Sequence, residues 1–176
     1  LPICRALVLT GADVRVDQGN PIAADLDLYW PGTLDGRDLS GLGYGATFGG
    51  TAPTVVDGPC GLPALYFNAN GYVEWNYYPD IARSQSWATW IKYDAAAWAM
   101  DNVILFYNDS HVMFVQGNST QAFLIYWNTS YNLMGYLTSN PIGDNAWHFL
   151  TGTHDVTTGV LTYKVDGVTV ISGTIT

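Results

Sequence analysis

The stretch that most restricts what this chain can become is Trp147 to Val170, WHFLTGTHDVTTGVLTYKVDGVTV. Trp147, Phe149, Thr151 and Thr153 alternate with His148, Leu150, Gly152 and His154, the period-two pattern of a strand with two different faces. Asp155-Val-Thr-Thr-Gly159 is turn chemistry, and Leu161, Tyr163 and Val165 then alternate with Thr162 and Lys164 in a second strand. Asp166-Gly167 suits a two-residue type I′ hairpin, because both central residues there need positive φ. Val168 to Ile171 opens a third strand. Three successive antiparallel strands without a helical interruption predict an all-β sandwich or barrel.

Composition narrows the partners. The net charge is −9, with 6 Lys+Arg in 176 residues, which argues against nucleic acid or an anionic membrane, since both call for basic patches. Hydrophobic residues make up 48 % but are dispersed, and no run approaches the ~20 residues of a membrane span. Cys4 and Cys60 are the only cysteines. An even count in a chain without an initiator Met fits a processed, secreted protein with one disulfide; two buried thiols are the other reading.

Ile3–Thr10 and Val14–Val16 read as strand broken near Gly11, giving an N-terminal strand segment over residues 1–20 ahead of the main domain at 21–176. Leu26, Leu28 and Trp30 share a strand face, and Pro31 to Gly61 is mostly loop with short strands near 46–48 and 54–56. Gly41-x-Gly43-x-Gly45 lacks the Lys-Ser/Thr of a phosphate loop and reads as turns. Asn70-Gly71 signals a hairpin within Leu65–Tyr78. Ser86–Tyr93 is a strand with Trp87 and Trp90 turned partly inward, and Asp94–Trp98 is the only helix-like window. Strands near 103–107, 111–117, 121–127 and 131–138 form a meander whose connections hold the glycosylation sequons at Asn108, Asn118 and Asn128. Glycans there would cover both ends of the sheet; unused sequons are the alternative.

Several segments carry a family resemblance. Trp147-His148, the Thr-x-Asp-like turn with Thr158-Gly159, and Tyr163-Lys-Val-Asp-Gly-Val168 resemble the central signature of laminin-G-like, concanavalin A-like jelly-roll domains. Leu28-Tyr29-Trp30 through Asp38-Leu-Ser-Gly41 to Gly61 is similar to their opening. Ala64–Phe67, Gly71–Glu74 and Trp87–Lys92 are similar to the next two strands. The match spans roughly 26–172. It implies a two-sheet antiparallel jelly-roll sandwich, with the N-terminal strand pairing either within the chain or with a neighbouring subunit. Function is left open, since this fold hosts lectins, adhesion modules, glycanases and structural repeats.

Glycanases of this fold use a strand-borne pair of glutamates, and a glycosidase needs two carboxyls flanking the bond. Glu74 is the only glutamate here, and Asn76 stands where its partner would, so no enzyme is expected. His148 and His154 lie about 20 Å apart at strand rise, too far to share a metal. The family often carries calcium, for which Asp35, Asp38 and Asp57 are candidates against the plainer reading of a solvated acidic loop; no other cofactor is expected. Tyr77, Tyr78, Trp98, Tyr126, Trp127 and Tyr131 lie near strand ends and suit sugar stacking or a protein interface. Trp75, Trp90, Phe114, Phe123 and Trp147 read as core.

Domains of this type continue past the Val-Asp-Gly-Val hairpin with two further strands, whereas this chain stops at Thr176. A sandwich short of a strand exposes an unpaired ladder, which residues 3–16 would fill in their own chain or in a neighbour. The expectation is therefore a secreted, extracellular, non-catalytic glycoprotein that is a structural subunit of a filament or coat, partnered by copies of itself. The alternative is a monomeric carbohydrate-binding lectin or cell-adhesion module.

Overall fold

The computed structural model describes residues 34, 42–67, 71–76, 83–94, 102–108, 111–117, 122–127, 135–136 and 142–174. The N-terminal segment 1–20, its boundary with the main domain and Cys4 lie outside them, as does the helix-like window beyond Asp94. The described elements are strands β1 (Ala46–Gly49), β2 (Thr54–Asp57), β3 (Pro63–Tyr66), β4 (Tyr72–Trp75), β5 (Gln85–Asp94), β6 (Asn102–Asn108), β7 (His111–Gly117), β8 (Ala122–Trp127), β9 (Gly135–Tyr136), β10 (Asp144–Asp155), β11 (Val160–Val165) and β12 (Val168–Thr174). One 3-10 turn, Pro59–Gly61, holds Cys60. Every strand pairing is antiparallel. The fold is all-β, as the alternation predicts. The chain divides into two units, Leu1–Tyr77 and Tyr78–Thr176.

In the first unit β1 pairs with β4 and β2 with β3. This corrects the Asn70-Gly71 hairpin: the strands on either side exist, but β3 bonds to β2 and β4 to β1. A turn dipeptide specifies a reversal of direction, and strand partners are chosen by side-chain packing across the ladder. Gly49 faces Tyr72 in the β1–β4 register, and a Cβ at Gly49 would land on the Tyr72 ring. The missing side chain is what lets the phenol lie across the ribbon.

The second unit contains two four-stranded sheets, ordered β12-β11-β10-β5 and β6-β7-β8-β9. The second is the expected meander, with Asn108 closing β6 opposite His111. Its last strand is seen as Gly135–Tyr136, inside the expected 131–138. The first sheet is built on β10, twelve residues long and bonded on both sides. Asp166 and Gly167 take φ of 51° and 82°, the positive pair a type I′ turn requires. At the other turn the Asp155 carboxylate accepts the Thr157 and Thr158 N–H groups, while Ser84 Oγ accepts the Val156 N–H.

Parity sorts this sheet into a core face and an outer face. On the core face Leu150 of β10 and Leu161 and Tyr163 of β11 are buried with Ile142, and Trp87, Ile91, Val165, Val170 and Ile171 pack against them. Trp87 meets Tyr163 edge to face, centroids 5.4 Å apart. Gly152 stands opposite Trp87 in the β10–β5 register, and a Cβ there would strike the indole. Trp87 and Trp90 are three residues apart and so point to opposite faces of β5. Trp90 is therefore not core: it keeps 40 % of its surface exposed. Trp147 shares the outer face and is half-buried. The backbone places Trp75 in β4, Phe114 in β7 and Phe123 in β8.

Candidate functional site

The outer face of the β12-β11-β10-β5 sheet concentrates groups that a strand would ordinarily bury or leave scattered. Trp90 and Phe149 are directly opposed across β5 and β10, with ring centroids 5.1 Å apart and planes tilted by 44°. Trp147 pairs with Lys92 at the next outward position, and Thr151 pairs with Ala88 at the one after Phe149. Ser86 faces Thr153 beyond that. Across β11 the face continues through Lys164, opposite Thr151, and Thr162, whose hydroxyl lies 3.0 Å from that of Ser172 on β12. The result is an aromatic step at one end of a floor made of small and hydroxyl-bearing residues. Such a surface offers a π face for apolar C–H groups and hydroxyls for polar ones.

The aromatic step is anchored from behind. Asp166 continues the β10–β11 ladder: its N–H donates to the Phe149 carbonyl at 2.9 Å, and its carboxylate accepts the Phe149 N–H at 2.9 Å. The side chain thus replaces the main-chain carbonyl that turns away in the hairpin. The other oxygen of Asp166 lies 2.8 Å from His148 Nδ1, and Asp144 lies 2.9 Å from His148 Nε2. Asp144 reaches there through an irregularity: one extra residue enters β10 between Asp144 and Trp147, and Asn145 takes φ of 62°. Asp144 also accepts the Ala146 N–H at 2.9 Å.

Two ionised carboxylates accept and cannot donate, so an imidazole between them is best satisfied with a proton on both nitrogens. Burial pulls the His148 pKa down, but hydrogen bonds to Asp144 and Asp166 outweigh it and hold the group above the usual histidine range. The His148 hydrogen bond, then the Ala146 N–H, holds Asp144 below the usual carboxylate range; for Asp166 the Phe149 N–H comes first and His148 second. With both nitrogens engaged, His148 is a clamp and has no free lone pair for a substrate proton. Its strand neighbour His154 is depressed by burial, partly offset by Asp155.

The other expected site residues separate. Tyr126 and Trp127 end β8, in register with Met113 and Val112. Tyr77, Tyr78, Trp98 and Tyr131 lie outside the described residues, as do Asn118, Asn128, Asp35 and Asp38. Asp57 ends β2 and is exposed, and no group of three or more metal-binding side chains of metal-site geometry occurs among the described residues. Glu74 is exposed on β4 opposite Thr47. No helix among the described residues is long and apolar enough to cross a membrane. The aromatic step at Trp90 and Phe149 is absent from the expected sugar-stacking set. The signal for it was parity: Gly152 opposite Trp87 marks that indole as the one that needs room inside, leaving Trp90 outside.

No family model matches the chain, and no curated protein matches it in sequence. In three dimensions it is similar to domain 4 of AbnA, a GH43 extracellular arabinanase from Geobacillus stearothermophilus, in a structure of the complex with arabinotriose. The superposition has a TM-score of 0.58 at 20 % identity and covers 81 % of this chain and 71 % of that one. At that identity the likeness establishes a shared β-sandwich fold.

Proposed function

We propose that this chain is a non-catalytic carbohydrate-binding module of an extracellular protein, with the outer face of the β12-β11-β10-β5 sheet as its ligand surface. The observation that carries the reading is Trp90, exposed on β5 and packed beside Phe149. An exposed indole on a sheet face suits the C–H side of a sugar ring, and the neighbouring Thr and Ser hydroxyls suit its polar edge. The similar arabinanase domain, solved with arabinotriose, supports the same class of ligand. An extracellular setting agrees with that neighbour and with the paucity of basic residues.

The filament or coat subunit fits less well. Its argument rests on residues 3–16, outside the described residues, and nothing in the fold comparison speaks for self-assembly. The glycosylation and disulfide assignments belong to the same secreted reading, and peptide mass spectrometry across Asn108, Asn118, Asn128 and Cys4–Cys60 tests them. The ligand surface is tested by titration calorimetry against a panel of soluble plant and bacterial oligosaccharides, with Trp90→Ala as control. Binding by the native chain and at least a tenfold loss in the variant is expected, about 1.4 kcal/mol. A panel without a ligand, or a Trp90→Ala protein that binds as well as the native one, refutes the proposal.

A further inference from the structure

The chain contains only two lysines, Lys92 and Lys164, and the fold brings both to the same face. Lys92 pairs with Trp147 and Lys164 with Thr151, and Trp147 and Thr151 share one side of β10 with Phe149 between them. Both lysines are exposed, and neither has a hydrogen-bond or ion-pair partner among the described residues. Of the aspartates near these positions, Asp155 is occupied with its turn and Asp166 with the Phe149 N–H and His148. A chain of net charge −9 has thus placed both of its lysines on the face that carries its exposed Trp90, one on either side of the Trp90–Phe149 pair.

We infer that the saccharide this face takes is an oligouronate, a chain of sugar acids whose separate carboxylates meet Lys92 and Lys164 while a ring between them lies on Trp90. The inference rests on the carbohydrate reading and specifies its ligand class. Two strand spacings across and four residues along put the lysines about 17 Å apart, too far for one carboxylate and suited to two on a short oligomer. Lysine ammonium groups recognise point charges and the indole recognises ring faces, so the surface reads alternating charge and C–H area. Densely sulfated glycans are the poorer match, because isolated lysines on an acidic protein do not neutralise contiguous charge.

The test uses the whole chain and measures affinity for hexamers of galacturonate and glucuronate, for the same hexamers after carboxyl reduction, and for a heparin hexamer. Native protein is expected to bind a uronate hexamer at least tenfold more tightly than its reduced form, with affinity falling as salt rises. Lys92→Met and Lys164→Met each remove part of that preference and together abolish it. Equal affinity for charged and reduced hexamers overturns the inference while leaving the carbohydrate reading intact. Preference for heparin over both uronates also overturns it. Failure to bind any saccharide, charged or neutral, removes both.

Discussion

Trp87 and Trp90 are the same side chain on the same strand, three residues apart, and the molecule uses them in opposite ways. Trp87 lies against Tyr163 and fills the space that Gly152 leaves vacant, whereas Trp90 lies against Phe149 and stays 40 % exposed. On the core face Trp87 packs against a buried apolar cluster, so removing or adding a methyl group is felt at once. On the outer face the neighbours are lysine, threonine and serine, and a residue there is free to be chosen for what it touches outside the protein. The contrast separates stability from recognition within one sheet.

The sharpest way to break that contrast is Leu161→Ala, at a side chain with 0 % exposure in the middle of the core. Chemical denaturation should show a loss of about 3 kcal/mol, and a loss below about 1 kcal/mol would mean this face is not the one that holds the sheet together. Gly152→Ala, which forces a methyl onto the Trp87 indole, should cost about 1–3 kcal/mol; restoring stability by combining it with a smaller residue at Trp87 would identify the clash as the cause. Trp90→Ala should cost roughly 0.5–1.5 kcal/mol, from its contact with Phe149, and still remove ligand binding. If Trp90→Ala unfolds the protein, the two faces are not functionally distinct.

A subtler effect separates the two histidines of β10. His148 should titrate above the ordinary histidine value, because two carboxylates favour its charged form against its burial, and His154 below it, because burial dominates. For His148 the folded-state pKa exceeds the unfolded one. Its stabilisation is therefore complete below about pH 6.5, and it is lost as pH rises through the raised folded value. Asp144 and Asp166 have lowered folded values, so their stabilisation is present above the ordinary carboxylate pKa and is lost as pH falls through the depressed ones. The clamp is strongest between those limits. His154 acts in reverse, costing stability as pH falls through the unfolded histidine value. Proton NMR of the ring resonances measures both; His148 titrating at or below the ordinary value would contradict the double hydrogen bond. The smallest expected effect is Asp155→Ala, at the turn that ends β10, which should lower the denaturation midpoint only slightly through loss of its turn hydrogen bonds and leave binding unchanged.

Much of the sheet was legible in the chain. Alternation from Trp147 onward gave β10 and β11, and Asp166-Gly167 announced its turn, because strand period and positive-φ demand are local properties. The start of β10 was not legible. An asparagine at φ of 62° and one extra residue accompany the contact of Asp144 with His148, four residues on, which strand alternation does not encode. Asn70-Gly71 misled for a related reason, since the reversal is local and the strand partners are not. Size misled at Trp90: a large aromatic on a strand suggests core, and only its odd separation from Trp87 reveals the opposite face. The pairing of two lysines across three strands follows from register alone, which exists only once the sheet is assembled.

The carboxylate of Asp166 has a further consequence. An aspartate followed by glycine is ordinarily the weak point of an ageing polypeptide, because the unhindered glycine nitrogen attacks the side-chain carboxyl and closes a succinimide ring that reopens to isoaspartate. Here both oxygens are held, one by the Phe149 N–H and the other by His148. The side chain is pinned toward β10 and cannot swing onto the Gly167 nitrogen without breaking both bonds. The tightest hairpin in the sheet is thereby also protected from chemical decay over the lifetime of the protein.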